Sequence, residues 1–360
     1  MIESKKVLVT GAGGLIGSAV VKYYLRQGYE NILGIDNNSR MEFFGKGGDT
    51  TKSVEALSQR SQFKNFPIDI ADREAVMGFF RKNGPFGLVV HTAAQPSHDL
   101  AAKIPLRDWD VNANGTFNML EAFRRFSPEG TLVFLSTNKV YGDNPNKVPM
   151  VEKETRWDFD LSKPARGIST EGVTEDMSLD HTTHSLFGVS KAAADLAVQE
   201  YGRYFGLNTG VFRGGCLTGP QHSAVELHGF LSYIVGCAVD GKPYTILGYK
   251  RKQVRDQIHS ADVARAIDTF AQNPKQGAVY NLGGGRQNAI SMMETIGMLD
   301  KDFGLKLNWT YNEQNRKGDH TCYFTDMGKF MRDYPSWNIT KGLKDITAEI
   351  VEEKLAKRGR

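Results

Sequence analysis

The chain has 360 residues, 40% of them hydrophobic and 24% charged, and carries a formal net charge of +4. Such a length buries a large core and suits either one large α/β domain with an appendage or two domains. The mild charge gives nucleic-acid binding no support while suiting a small anionic ligand, and no apolar run approaches the roughly 20 residues that would span a bilayer, so no membrane partner is expected.

The first apolar run is a short strand, Val7–Thr10, broken at once by Gly11, Gly14 and Gly17, which is not the design of a signal peptide. An apolar pattern of helical period follows to about Leu25, giving strand, tight turn and helix. Each glycine has a physical task in such a unit: Gly11 permits the turn, Gly14 lets a pyrophosphate approach the backbone, and Gly17 lets the helix pack closely on the sheet. The helix start then offers free N–H groups and the positive end of its dipole to phosphates. A second strand, Ile32–Ile35, ends at Asp36, where a carboxylate is needed to hold the adenosine ribose hydroxyls. A dinucleotide is the expected cofactor. Asp36 would repel a ribose phosphate, favouring NAD over NADP, while the nearby Arg40 leaves NADP open.

Residues 41–61 are polar, with glycines around a short helical pattern, and read as an insertion covering the adenosine end. A third strand at 64–68 exits at Asp69 and Ile70, placed to touch the adenine. A helix over 73–82 leads to residues 87–91, the unbroken apolar run of a parallel strand buried on both faces. Thr92, Ala93, Ala94 and Gln95 follow where the cofactor's backbone would pass. A long helix holds residues 110–122, and a strand at 131–135 ends in Ser136-Thr137-Asn138-Lys139-Val140-Tyr141-Gly142. The alternation predicts an α/β fold, a Rossmann-type doubly wound parallel sheet that binds ligands at the carboxyl ends of its strands, with a smaller C-terminal α+β substrate domain.

Residues 143–183, rich in Pro, Asp, Glu, Lys and Thr, are too long for a plain loop and predict a partly ordered lid or edge excursion. An amphipathic helix over 185–205 and a strand over 208–213 come next, and beyond Gly214 the pattern turns irregular. The expected division is an NAD-binding domain at 1–213, with 242–270 returning a strand and helix to the main sheet, and a mainly substrate-binding domain at 214–360. Cys216, Cys237 and Cys322 are odd in number and lack a Cys-x-x-Cys pair, which predicts free thiols of a reducing cytosol and a cytoplasmic protein. His181 and His184 have metal-like spacing without a further ligand cluster, so they read as exposed loop histidines and no metal is expected.

Taken together, Gly11-x-x-Gly14-x-x-Gly17, Asp36-Asn37, Asp69-Ile70, His91-x-Ala93-Ala94, Val111-Asn112-x-x-Gly115-Thr116, the 136–142 segment, His184-Ser185-x-x-Gly188-x-Ser190-Lys191, Val254-Arg255-Asp256 and Arg316-x-Gly318-Asp319 run through most of the chain. In these motifs the chain resembles the extended short-chain dehydrogenase/reductase family of NAD-dependent nucleotide-sugar epimerases and dehydratases. The 136–142 wording and Glu154-Thr155-Arg156 resemble its 2-epimerase branch. The resemblance implies an epimerase that removes hydride from a sugar carbon to NAD and returns it to the other face, with C2 of a CDP-sugar favoured. A 4-epimerase or 4,6-dehydratase is the alternative enzyme, and a homodimer or higher homo-oligomer is the implied assembly.

The resemblance also assigns roles. Cofactor contacts fall to Gly11, Gly14, Leu15, Ile16, Gly17, Asp36, Asn37, Asp69, Ile70, Ala93, Ala94, Asn112 and Lys191, and substrate contacts to Gln95, Asn138, Arg213, Arg255 and Arg316. Thr137 would hydrogen-bond the reacting hydroxyl, Lys191 would hold the nicotinamide ribose, and the two later arginines would pair with the diphosphate through their guanidinium forks. One position departs from the family: Phe187 stands where the tyrosine of Tyr-x-x-x-Lys is the catalytic base. General acid–base help of that kind is worth about 100- to 10,000-fold. Three explanations follow: an engineered Tyr→Phe change, a natural enzyme whose base is elsewhere with Lys139 the first candidate, or a catalytically silent binder of NAD and nucleotide sugar.

Overall fold

The computed structural model describes residues 6–220, 229–316 and 318–358. The short apolar runs build one sheet of seven strands: β1 (Val7–Thr10), β2 (Ile32–Ile35), β3 (Phe63–Phe66), β4 (Leu88–His91), β5 (Thr131–Thr137), β6 (Asn208–Gly214) and β7 (Ala278–Leu282), in the spatial order β7-β6-β5-β4-β1-β2-β3. From β3 through β5 every pair is parallel, with Val7 opposite both Ile32 and Leu88. β1 and β4 are buried at every residue, as parallel strands covered on both faces must be. The chain leaves β1 toward β2 on one side and later returns to β4 on the other. Their carboxyl ends therefore flank the switch point where such sheets bind ligands.

Helices α1 (Leu15–Arg26), α2 (Arg73–Asn83), α3 (Gly115–Phe126), α4 (Leu186–Phe205) and α5 (Ser260–Gln272) belong to the same body. Local signals set their ends. Asp72 caps α2 by accepting from the Ala75 N–H, Ser185 caps α4 through Gly188, and Gly206, at a φ of 68°, ends α4 in the left-handed region. Between sheet and helices lies a core that includes Leu8, Val89, Phe80, Phe86, Phe123, Phe134 and Val198, each fully buried aliphatic or phenyl side chain contributing about 1.5–3 kcal/mol. Residues 110–114 form a π turn immediately before α3.

The chain divides into two compact units, Met1–Val140 with Ser185–Arg213 and Ser260–Tyr280, and Tyr141–His184 with Gly214–His259 and Asn281–Arg360. This partition differs from a first domain running unbroken to residue 213 with a return at 242–270. Strand Pro243–Leu247 pairs instead with Asn308–Asn312, and Val254–His259 pairs with Cys216–Thr218 and Ala289–Ser291, all in the second unit. The first pieces free to rejoin the main sheet are α5 and β7. Residues 143–183, expected as a partly ordered lid or edge excursion, hold two small hairpins, Met150–Glu152 with Trp157–Phe159 and Ile168–Ser169 with Gly172–Val173.

The second unit has its own core, in which Ile234, Val235 and Ile246 pack with Leu299 of α6 (Met292–Phe303) and Ile346 and Ile350 of α7 (Leu343–Arg358). A capping box of Ser291 and Glu294 starts α6, and the same Glu294 receives the guanidinium of Arg156 at 2.8 Å. Tyr249, Lys250 and Arg251 have φ values of 52°, 55° and 65°, three consecutive left-handed residues of which none is glycine. Each costs about 1–2 kcal/mol relative to the right-handed form. None of the three cysteines is in a disulfide, and among the described residues no helix is long and apolar enough to cross a membrane.

Candidate active site

Gly11 leaves β1 at a φ of +67°, and its amide donates to the Ile35 carbonyl at 2.7 Å, which fixes the turn to β2. A Cβ on Gly17 would stand 2.0 Å from the Gly11 carbonyl oxygen, so any side chain there would push α1 off the turn. A Cβ on Gly14 would meet only that same oxygen, at 3.2 Å, leaving the space around it open. No side chain caps the start of α1, whose amides stay available to phosphates. Leu15 and Ile16 form its first turn. Asp36 accepts from the Gly13 amide at 2.8 Å through Oδ2, and from the Asn38 amide at 2.9 Å and the Thr50 hydroxyl at 3.1 Å through Oδ1. The carboxylate is thereby locked beside the glycine turn, with remaining lone pairs for ribose hydroxyls. These residues fit a dinucleotide.

The neighbouring positions divide. Ala93 donates its amide to the Thr10 hydroxyl at 3.1 Å, and Ala94 follows it at the end of β4. Asn37 is exposed and turns its amide oxygen to Ser39. Asp69 is held at 2.8 Å by Arg107, while the Ile70 side chain lies in the core, where a Cβ on Gly115 would meet it at 2.9 Å. His91 bridges the Thr10 and Thr116 hydroxyls at 2.7 and 3.1 Å. Burial first, then the charge of Lys191, pushes its pKa down to about 3, so it is a neutral peg between β4 and the start of α3.

Around the end of β5 the sequence places Thr137, Asn138 and Lys139, with Phe187 and Lys191 one turn apart on α4. Phe187 is 7% exposed. The Thr137 hydroxyl accepts from the Lys139 amide at 3.2 Å. Lys191 is 3% exposed, donates to the Leu135 carbonyl at 2.7 Å and sits 4.0 Å from the centre of the Phe134 ring. Burial pushes its pKa down to about 7 against the opposing charges of Asp195 and Asp108. A lysine poised there changes charge near neutrality.

Asn112 occupies the π turn and is buried. Its side chain exchanges hydrogen bonds with the Gln95 backbone at 3.0 and 3.1 Å and donates to Asp108, while Asp108 accepts from the Ser190 hydroxyl at 2.5 Å. Gln95, expected above as a substrate contact, lies in the same network. Its amide is spent on Asp108 at 2.6 Å and on the backbone of Ser97, and it is fully buried. Arg213, also expected as a substrate contact, forms a bidentate pair with Asp195, 2.9 Å for each bond, and only 5% of its side chain is exposed. Asp195 also takes the Ser136 hydroxyl at 2.6 Å. Sequence reading missed Asp108, Asp195, Asn38 and Thr50; an aspartate one turn beyond Lys191, in an otherwise apolar stretch of helix, was the available signal for Asp195.

In the second unit, Arg255 donates to Asp319 at 2.7 Å, to the Val254 carbonyl at 2.6 Å and to the His320 carbonyl. Arg316 is half-buried, and the Tyr249 hydroxyl meets its carbonyl and that of Asp319 at 3.3 Å each. His184 turns Nε2 to the Leu179 carbonyl at 2.9 Å, and His181 is exposed.

Residues 7–283 match the model of the NAD dependent epimerase/dehydratase family. The chain belongs to that family. NAD is its cofactor. The chain is 33% identical over 331 residues to a CDP-paratose 2-epimerase from Salmonella typhi, an alignment covering 90% of this chain and 92% of the relative. It is 27% identical to a dTDP-glucose 4,6-dehydratase from Salmonella typhimurium, over 98% of this chain and 93% of the relative. Its fold is that of a UDP-glucose 4-epimerase from Thermotoga maritima solved with UDP-glucose, at a TM-score of 0.79 and 22% identity, covering 99% of this chain and all of that one. The glycine turn of Gly11, Gly14 and Gly17 lies within the matched residues.

Proposed function

We propose that the protein is an NAD-dependent epimerase that inverts C2 of a CDP-sugar. Bound NAD supplies a hydride acceptor and then a donor at one carbon, so no net redox change results. The observation that favours epimerisation over dehydration is Asn138. Eliminating water calls for an acid to protonate the leaving hydroxyl besides the group that takes the reacting proton, and residues 136–139 carry no carboxyl group and a single amine, that of Lys139, which must be neutral to serve as the base. Epimerisation needs only one group to take and return the proton of the reacting hydroxyl.

In this reading the Thr137 hydroxyl holds the reacting oxygen, Lys191 holds the cofactor ribose, and Lys139 takes the proton. Asn112 positions the start of α3 through its bonds to Gln95 and Asp108. Arg255 and Arg316 would bind the diphosphate, which for Arg255 means exchanging Asp319 and two carbonyls for phosphate oxygens. The choice of C2 and of cytidine rests on the likeness to the Salmonella typhi relative. Phe187 favours one second reading, a silent binder of NAD and nucleotide sugar, because its ring has no exchangeable proton.

Two observations test the proposal together. Mass spectrometry of small molecules released from purified protein should detect NAD, and proton NMR of CDP-, UDP- and dTDP-sugars incubated with it should show inversion at C2 of the CDP-sugar. Inversion at C4, or loss of water, would replace the proposal with one of the other family activities; unchanged sugars would leave the silent binder.

A further inference from the structure

At the carboxyl ends of β2 and β3 the first unit carries a segment that no step above uses. The two ends adjoin there, because the Asp36 amide donates to the Phe66 carbonyl at 3.1 Å and the Asn65 side chain donates to the Asp36 carbonyl at 2.9 Å. A dinucleotide seated on the glycine turn reaches this corner with its adenosine half. Residues 38–54 lie over the same corner: a Cβ on Gly13 would stand 2.8 Å from both the Thr50 Cβ and a methyl of Val54.

The segment is a closed strap. Its ends meet at Asn38, whose side-chain oxygen accepts from the Thr50 amide at 2.9 Å while its NH₂ donates to Asp49 at 2.9 Å and to Thr51 at 3.1 Å. Inside the loop runs the short helix Ser39–Phe44, none of whose six residues is buried. Asn38 and Gly45 flank it at φ values of 60° and 61°, left-handed positions that asparagine and glycine take up most readily. An element with so little buried surface opens at small cost, and residues at its ends absorb the change in backbone angle.

One side chain holds the strap down. Arg107 donates to Asp69 beyond β3 at 2.8 Å and to Glu42 on the strap helix at 3.4 Å, and its guanidinium stands 5.8 Å from the Phe43 ring. Its own support is firm. Arg107 lies in the short helix Pro105–Trp109, where the next residue, Asp108, is the buried carboxylate that accepts from Gln95, Asn112 and Ser190. Consecutive residues thus hold the buried network and the strap.

We propose that Arg107 is a positioning residue of the cofactor site, a clip that closes the Ser39–Phe44 helix over the adenosine half of NAD and sets the rate at which NAD enters and leaves. The inference rests on the cofactor, whatever sugar or carbon reacts. Where hydride is taken and returned within one turnover NAD need not leave, so a clip that keeps it in place slows nothing. The clip's bonds are all made within the chain, so they oppose entry and exit alike and largely cancel from the equilibrium.

Exchange kinetics test this on the full chain: protein loaded with radiolabelled NAD is chased with unlabelled NAD, and affinity is read by equilibrium dialysis. Arg107→Met keeps an apolar stem over Phe43 and removes the charge. It should speed release about fivefold or more, the scale of a solvent-screened ion pair with an added cation–ring contact, while the dissociation constant stays within about threefold. Glu42→Gln, a change on an exposed side chain, should act in the same direction by about twofold. Salt gives a readout that a packing role would not move. From about 0.05 to about 0.5 M sodium chloride, release should quicken in the native protein and much less in Arg107→Met. Unchanged release in both variants would overturn the clip. So would release and dissociation constant rising by the same factor, which makes Arg107 an ordinary contact of the bound cofactor. A native protein that binds no NAD would overturn the clip and the cofactor assignment together.

Discussion

A phenyl ring at position 187 cannot take a proton, so turnover depends on which other group does. If Lys139 is the base, Lys139→Met should abolish turnover while leaving NAD binding intact, and Phe187→Tyr should bring little gain. If Phe187 stands in place of a working tyrosine, Phe187→Tyr should instead raise turnover by at least about a hundredfold. Steady-state assays of the two variants separate these outcomes. Lys191 gives a pH signature. Its folded pKa, near 7, lies below the ordinary lysine value of 10.5, so between those two values the unfolded chain holds more protons and stability rises with pH; below about 7 the cost of burying the charge is fully present. Urea unfolding should therefore show the native protein gaining on a Lys191→Met variant from pH 7 to 10, and parallel profiles would refute the buried charge. The Arg213–Asp195 pair gives a stability test. Arg213→Met leaves Asp195 buried and unpaired, and should cost about 3–5 kcal/mol by the same measurement; near-neutral stability with weakened sugar binding would restore it to the substrate. That the settings of Arg213 and Gln95 were not legible has a physical reason. Their partners, Asp195 and Asp108, lie 18 and 13 residues away in sequence, and burial turns a polar side chain from ligand binder into network member without any local mark.

At the scale of elements, legibility followed how local the determinant was. The glycine turn and the apolar runs of β1, β4 and β5 are set by adjacent residues, and each was readable in place. The π turn at 110–114 was not, because nothing in Asp-Val-Asn-Ala-Asn distinguishes it from an α-helical turn; it is the buried bonds of Asn112 that accompany it. Strands 243–247 and 254–259 could be placed only by knowing their partners in the second unit. Helices α3 and α4 carry a further consequence. Phe117 on α3 is 46% exposed, and on α4 Leu196 and Tyr204 are 53% and 76% exposed, with Leu186 and Phe205 also open. Apolar side chains of this size on two helices of one body suit an isologous contact with a second copy. Sedimentation at micromolar concentration should give a dimer, and Leu196→Glu should give monomers; a monomeric native protein would count against it.

At the scale of the molecule, the dinucleotide site was the most legible part because its chemistry is written in backbone freedom and one carboxylate, both visible as residue types. The reaction is less so, since the choice of carbon depends on how a sugar lies in a site assembled from distant segments. The measurement that reaches this directly is isotope tracing with a CDP-sugar carrying deuterium at C2, followed by deuterium and proton NMR of the product. The proposed reaction predicts inversion at C2 with the deuterium kept on that carbon and none taken from the solvent. A sugar returned unchanged, or inverted at C4 with C2 untouched, would contradict it.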